Sequence, residues 1–78
     1  MPSVRLNRIQ EKPKVFAKWL IGEMLEKNLY QKDIAVWLGI SQQAVGKKLR
    51  EFNFTYIEML TIFDELGTEK EEQIRVIL

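Results

Sequence analysis

The segment from Gln31 to Arg50, QKDIAVWLGISQQAVGKKLR, decides the fold of this 78-residue chain. Its spacing predicts two short helices joined by a turn that needs a glycine. Ile34, Ala35 and Leu38 fall on one side of a first helix. Ala35 is the small member of that set and lets another helix come close. Gly39 ends the helix, because glycine enters the left-handed backbone region without a Cβ clash. Ile40 turns inward as a plug. Ser41 is placed to cap the next helix, its hydroxyl accepting an otherwise unpaired backbone N–H. Val45 and Leu49 give that second helix its buried stripe. Gln42, Gln43, Gly46, Lys47, Lys48 and Arg50 occupy its other sides.

The flanking segments predict a helical scaffold. Pro13 suits a first helical turn, where its missing N–H costs nothing. Phe16, Ala17, Leu20, Ile21, Met24 and Leu25 then trace a core stripe to about Lys27, with Asn28 as the stop. Glu51 to Phe54 read as a connector. Thr55 and Glu58 have the spacing of a capping box for a fourth helix, with Tyr56, Met59, Leu60, Phe63 and Leu66 inward and Gly67 as its end. Thr68 and Glu71 repeat that spacing, so Glu69–Ile77 is expected to be a fifth helix; the β-branched run from Ile74 leaves a strand as the alternative. Residues 1–11 lack helical periodicity and read as a flexible N-terminal arm, followed by a single domain over 12–78. Arg5 and Arg8 give that arm two positive charges and are its candidate contacts for an anionic partner. A frayed terminus, or a short edge strand through Val4 and Leu6, are the alternatives.

The motif resembles the helix-turn-helix of the Cro/repressor (XRE, lambda-repressor-like) family. Gln31, Ile34-Ala35, Leu38-Gly39-Ile40-Ser41 and Val45 carry the resemblance, which covers about a quarter of the chain. An ordinary helical hairpin with a glycine stop and a serine cap is the plainer alternative. Lys48 departs from the pattern, since the family often has an apolar residue there. Leu49 returns to the same face and can substitute, which implies a slightly rotated second helix. The resemblance implies an all-α fold of four to five short helices, with a helix-turn-helix at about 31–50. In that family the second helix lies in the DNA major groove and the first crosses the backbone. The implied partner is double-stranded DNA, and the implied role a small transcriptional repressor or regulator of phage or mobile-element type. A protein-interaction module (an adaptor or anti-repressor) and a recombination accessory factor are the rival readings.

Side-chain chemistry narrows the candidate contacts. Gln42 and Gln43 open the second motif helix, and an amide can pair bidentately with adenine. Lys47 follows on the same face, within reach of guanine or a phosphate. Gln31 opens the first motif helix, where amide, backbone N–H and helix dipole favour a phosphate. Lys32, Lys48, Arg50 and Asn53 are phosphate candidates by position. Gly46 removes a side chain that would face DNA or a neighbouring helix.

Charge is distributed to match. The net charge is +1, but residues 1–50 carry 10 basic and 4 acidic side chains, and residues 51–78 carry 2 and 7. A basic front and an acidic rear would orient the molecule on a polyanion. The chain has no cysteine and no histidine. This removes thiolate metal sites, disulfides and the usual nucleophile–base pairs. The four glycines are isolated, so no phosphate-cradling loop is present. No enzyme activity, metal, cofactor or small-molecule ligand is expected. No apolar run approaches the ~20 residues that span a bilayer, and a cytoplasmic protein of a bacterial or phage-infected cell is the expectation. Val15, Trp19, Val36, Trp37 and Ile62 exceed what the core stripes need. They either wrap the core edge or, with Trp19, Trp37 and Ile62 foremost, serve a homodimer formed through the fourth helix and the C-terminal segment.

Overall fold

The structure is a computed structural model that describes the backbone of residues 2–77 and the side chains of residues 13–77. Among the described residues it is all-α, with helices α1 (Pro2–Lys27), α2 (Gln31–Leu38), α3 (Gln42–Glu51), α4 (Tyr56–Leu66) and α5 (Lys70–Ile77) and no strand. The two motif helices are α2 and α3, so a helix-turn-helix unit lies where the spacing put it.

The helix ends follow from local chemistry. Gly39 has φ of +67°, and the turn around it is a Schellman arrangement: the Ile40 N–H donates to the Ala35 carbonyl at 3.1 Å and the Gly39 N–H to Val36 at 3.3 Å. Gly67 (φ +65°) closes α4 in the same way, with the Thr68 N–H on the Phe63 carbonyl at 2.9 Å. Asn28 and Phe52 supply the left-handed residue after α1 and α3; asparagine tolerates that region, whereas phenylalanine there is uncommon. Ser41 Oγ accepts the Ala44 N–H at 3.1 Å. Thr55 and Glu58 form the expected reciprocal box, at 3.1 Å and 2.9 Å. Asp33, at the third position of α2, accepts the Tyr30 N–H at 2.9 Å. The expected Thr68–Glu71 box is replaced by a different closure, in which the Gln73 amide donates to the Thr68 carbonyl at 2.8 Å.

Three expectations are corrected. First, α1 begins at Pro2, not Pro13, so the backbone of residues 2–11 continues the helix instead of forming an arm or an edge strand. An internal proline withholds one N–H and crowds the carbonyl a turn back, costing about 3 kcal/mol. Arg, Leu, Gln, Glu and Lys dominate the sequence before it and are strong helix formers. The side chains of Arg5 and Arg8 lie outside the described residues. Second, the inward stripes are rotated. On α1, Phe16, Ala17 and Leu20 are buried, but Ile21 and Leu25 are exposed; on α4, Met59, Ile62 and Phe63 are buried while Tyr56 and Leu60 are exposed. Third, Ile62 is fully buried and cannot serve a self-association surface.

Aromatic packing explains the rotations. The Phe16 ring meets Phe63 at 5.4 Å and Phe54 at 5.2 Å, and Trp19 meets Phe63 at 5.1 Å, all edge-on. These are the favoured geometries for aromatic quadrupoles. Turning α4 to bring Phe63 onto Phe16 also brings Ile62 inward and sends Leu60 out. Phe54, read as connector, is thereby a core residue. Trp19 and Trp37 are half-buried against this core, so both wrap its edge. Val76 of α5 completes it, and α5 packs along α1 while α2 packs on both α3 and α4.

Candidate nucleic-acid interface

The packing leaves the outward side of α3 uncovered by the described residues. Ile34 and Ala35 of α2 and Val45 of α3 are buried, and Leu38, Ile40 and Leu49 pack around them. With one side anchored, Gln42, Gln43, Lys47 and Arg50 remain exposed. The amides of Gln42 and Gln43 are therefore neither tucked into the core nor engaged in the side-chain hydrogen bonds formed among the described residues.

Gln31, Ser41, Gln42, Gln43, Gly46 and Arg50 line one open surface depression of about 640 Å³. Its floor depends on Gly46, which is buried although it sits on the outer part of α3. A Cβ at that position would lie 3.0 Å from Gln31 Oε1 and 3.3 Å from an Arg50 guanidinium nitrogen. The missing side chain thus lets the Gln31 amide lie across α3, beside the Arg50 head group. Two hydrogen-bonding amides at the start of α3, a third from α2 and a guanidinium share a single concavity. Such a set can donate to an anion and both donate and accept at a base edge.

Three expected site residues stand elsewhere. Lys32 lies with its ammonium 5.7 Å from the centroid of the exposed Tyr30 ring. Asn53 is exposed just past α3, and its carbonyl accepts a bond from Lys48 Nζ at 3.2 Å. Lys48 itself is committed inside the domain: its ammonium lies 3.1 Å from Glu58 Oε1, with only 19 % of either side chain exposed. The same carboxylate oxygen caps α4, so Lys48 fastens the end of α3 to the start of α4. Its charge is largely neutralised there. The aliphatic stem is half-buried and the head group is paired.

Two aromatic side chains beside the ends of the motif helices escaped the sequence reading. Tyr30 precedes the first residue of α2, and the Phe52 ring lies 5.9 Å from Lys14 Nζ at the far end of α3. An exposed tyrosine next to a predicted helix start was the available signal for the first. The second had none, because Lys14 and Phe52 meet only through the fold.

Compared with family models, with curated proteins and with solved structures, the chain matches none. Among the described residues, no helix is long and apolar enough to cross a membrane.

Proposed function

We propose that this protein binds double-stranded DNA sequence-specifically by laying α3 in the major groove. The observation that carries the proposal is the convergence of exposed Gln42 and Gln43 with Gln31, Gly46 and Arg50 on one open depression at the start of α3. B-DNA's major groove admits one α-helix, and glutamine amides match the donor–acceptor pair on adenine. In this pose Gln42 and Gln43 reach base edges, and Lys47 reaches a base or a phosphate. Gln31 and Arg50 hold a phosphate at the groove's rim. Gln31 and Lys32 also occupy the first two positions of α2, where backbone N–H groups lack intrahelical partners and the helix dipole favours an anion. The basic excess of residues 1–50 supports the same reading.

A domain of this kind acts as a small transcriptional repressor or regulator, occupying an operator and excluding polymerase. That step rests on the resemblance to the Cro/repressor family. Selection of bound sequences from a random duplex pool tests the proposal. A recovered consensus, bound with an affinity that falls steeply with salt, is the expected result. Recovery of no consensus together with salt-insensitive or absent duplex binding would overturn it.

A further inference from the structure

Gly22 stands in the interior of α1, where glycine destabilises a helix relative to alanine. Nothing within the described part of the chain calls for it. The left-handed glycines are Gly39 and Gly67, and a Cβ added at Gly22 would meet nothing within 4 Å. The face it occupies is also unusually apolar for an outward one. Leu25 is 77 % exposed, and Val15 and Ile21 are 43 % exposed. Lys18 and Glu26 are exposed beside them, and Trp19 is half-buried at the edge. Projected at helical spacing, Val15, Lys18, Gly22 and Leu25 form one stripe opposite the buried Phe16, Ala17 and Leu20.

The stripe is complementary to its own reverse. Lys18 and Glu26 stand four residues before and after Gly22 on one i±4 row. We propose that this face of α1 takes a second copy of the chain, with the two α1 helices antiparallel about a two-fold axis at Gly22. The two glycines then face each other, and the bare backbone permits close approach at the crossing point. With the helices crossed so that their i±4 rows align, each Lys18 meets the other copy's Glu26. A two-fold contact requires one patch to be self-complementary in this way. The opposite charges also select the antiparallel direction, because a parallel pairing sets lysine against lysine. One helix face per copy is a small interface, so the dimer is weak and forms at high protein concentration. This proposal is independent of the DNA-binding reading and uses none of its residues. It also replaces the fourth-helix interface expected from the apolar surplus.

Sedimentation velocity without DNA, over a wide concentration range, tests it. Wild type is expected to pass from monomer to dimer. Gly22→Gln places a long side chain on the axis in space that is open within the chain, so the fold survives while association weakens at least about tenfold. Lys18→Glu and Glu26→Lys each set like charges together twice and weaken the dimer similarly. An equimolar mixture of those two single variants restores association, as does the double variant K18E/E26K. Circular dichroism confirms that each variant keeps its helical content. A wild type that stays monomeric throughout overturns the proposal. So does a dimer indifferent to G22Q, or one in which the charge-reversed mixture associates no better than its components.

Discussion

Gly46→Ala separates the stability of the domain from the use of its outer surface. Position 46 is an interior position of α3, where alanine is favoured over glycine by about 0.5–1 kcal/mol. The new methyl meets Gln31 Oε1 at 3.0 Å and Arg50 Nη1 at 3.3 Å. Both are ends of flexible side chains, so the clash is relieved by rotation, at a cost of order 0.5–1.5 kcal/mol if the side chain leaves its rotamer. The net change in folding stability should therefore fall within about 1 kcal/mol of zero. DNA affinity should change much more. Displacing the Gln31 amide and the Arg50 head group removes at least one hydrogen bond to a phosphate, a class of bond worth about 1.5–3 kcal/mol. That corresponds to roughly tenfold weaker binding or more. Loss of the Gln31 bond alone leaves the slope of log affinity against log salt unchanged, whereas loss of the Arg50 contact lowers it by about one. Thermal unfolding and fluorescence anisotropy on a selected duplex measure the two quantities. Unchanged affinity in a folded G46A protein would refute the placing of Gln31 and Arg50 against DNA. A variant that unfolds would refute the claim that only flexible atoms crowd the site.

Other outcomes follow from the same geometry. Gln43→Ala should cost about 1–3 kcal/mol on the preferred duplex and relax base preference at one position, as read by competition with single-base variants. Lys48→Met should lower stability by less than about 1 kcal/mol, because the pair is partly exposed. Its salt slope should fall by less than one, since Glu58 already balances that charge; Lys47→Met should lower it by about one if Lys47 contacts a phosphate. Phe63→Ala should cost about 3–5 kcal/mol by chemical denaturation, because its ring is fully packed against Phe16 and Trp19. Hydrogen bonding to Glu23 raises the Lys27 pKa, lost hydration opposes it, and charge attraction from Glu23, Glu26 and Glu72 adds to the rise. A raised value means that this stabilisation is complete below the unfolded value and disappears as pH climbs through the folded one. Lys27→Gln should therefore flatten the alkaline limb of stability above about pH 10.5, measured by thermal unfolding across pH.

What could be read from the chain was governed by how far apart the interacting residues lie. Ser41 with Ala44, Thr55 with Glu58, and the turns at Gly39 and Gly67 are closed by partners within five residues. Spacing alone reveals such bonds. The same locality placed α2 and α3 and the outward position of Gln42 and Gln43. The rotation of α4 was not legible. Tyr56–Leu60–Phe63 and Met59–Ile62–Phe63 are both acceptable helical stripes, and only the meeting of Phe63 with Phe16 and Trp19 selects the second. Phe54 and the Lys48–Glu58 pair escaped for the same reason, since each depends on where a different helix arrives. The start of α1 was misplaced because a proline that suits a first turn also marks a tolerated interior position. Gly46 was recognised as a space-making residue, but the occupant of that space, the Gln31 amide, became visible only in three dimensions.

A nuclear magnetic resonance titration of the protein with its selected duplex, observed at the glutamine side-chain amides, tests major-groove docking most directly. The Gln42 and Gln43 side-chain resonances should shift strongly and slow their exchange with water, with Gln31 responding beside them. Shifts confined to α4 and α5, with those three amides unmoved, would contradict it.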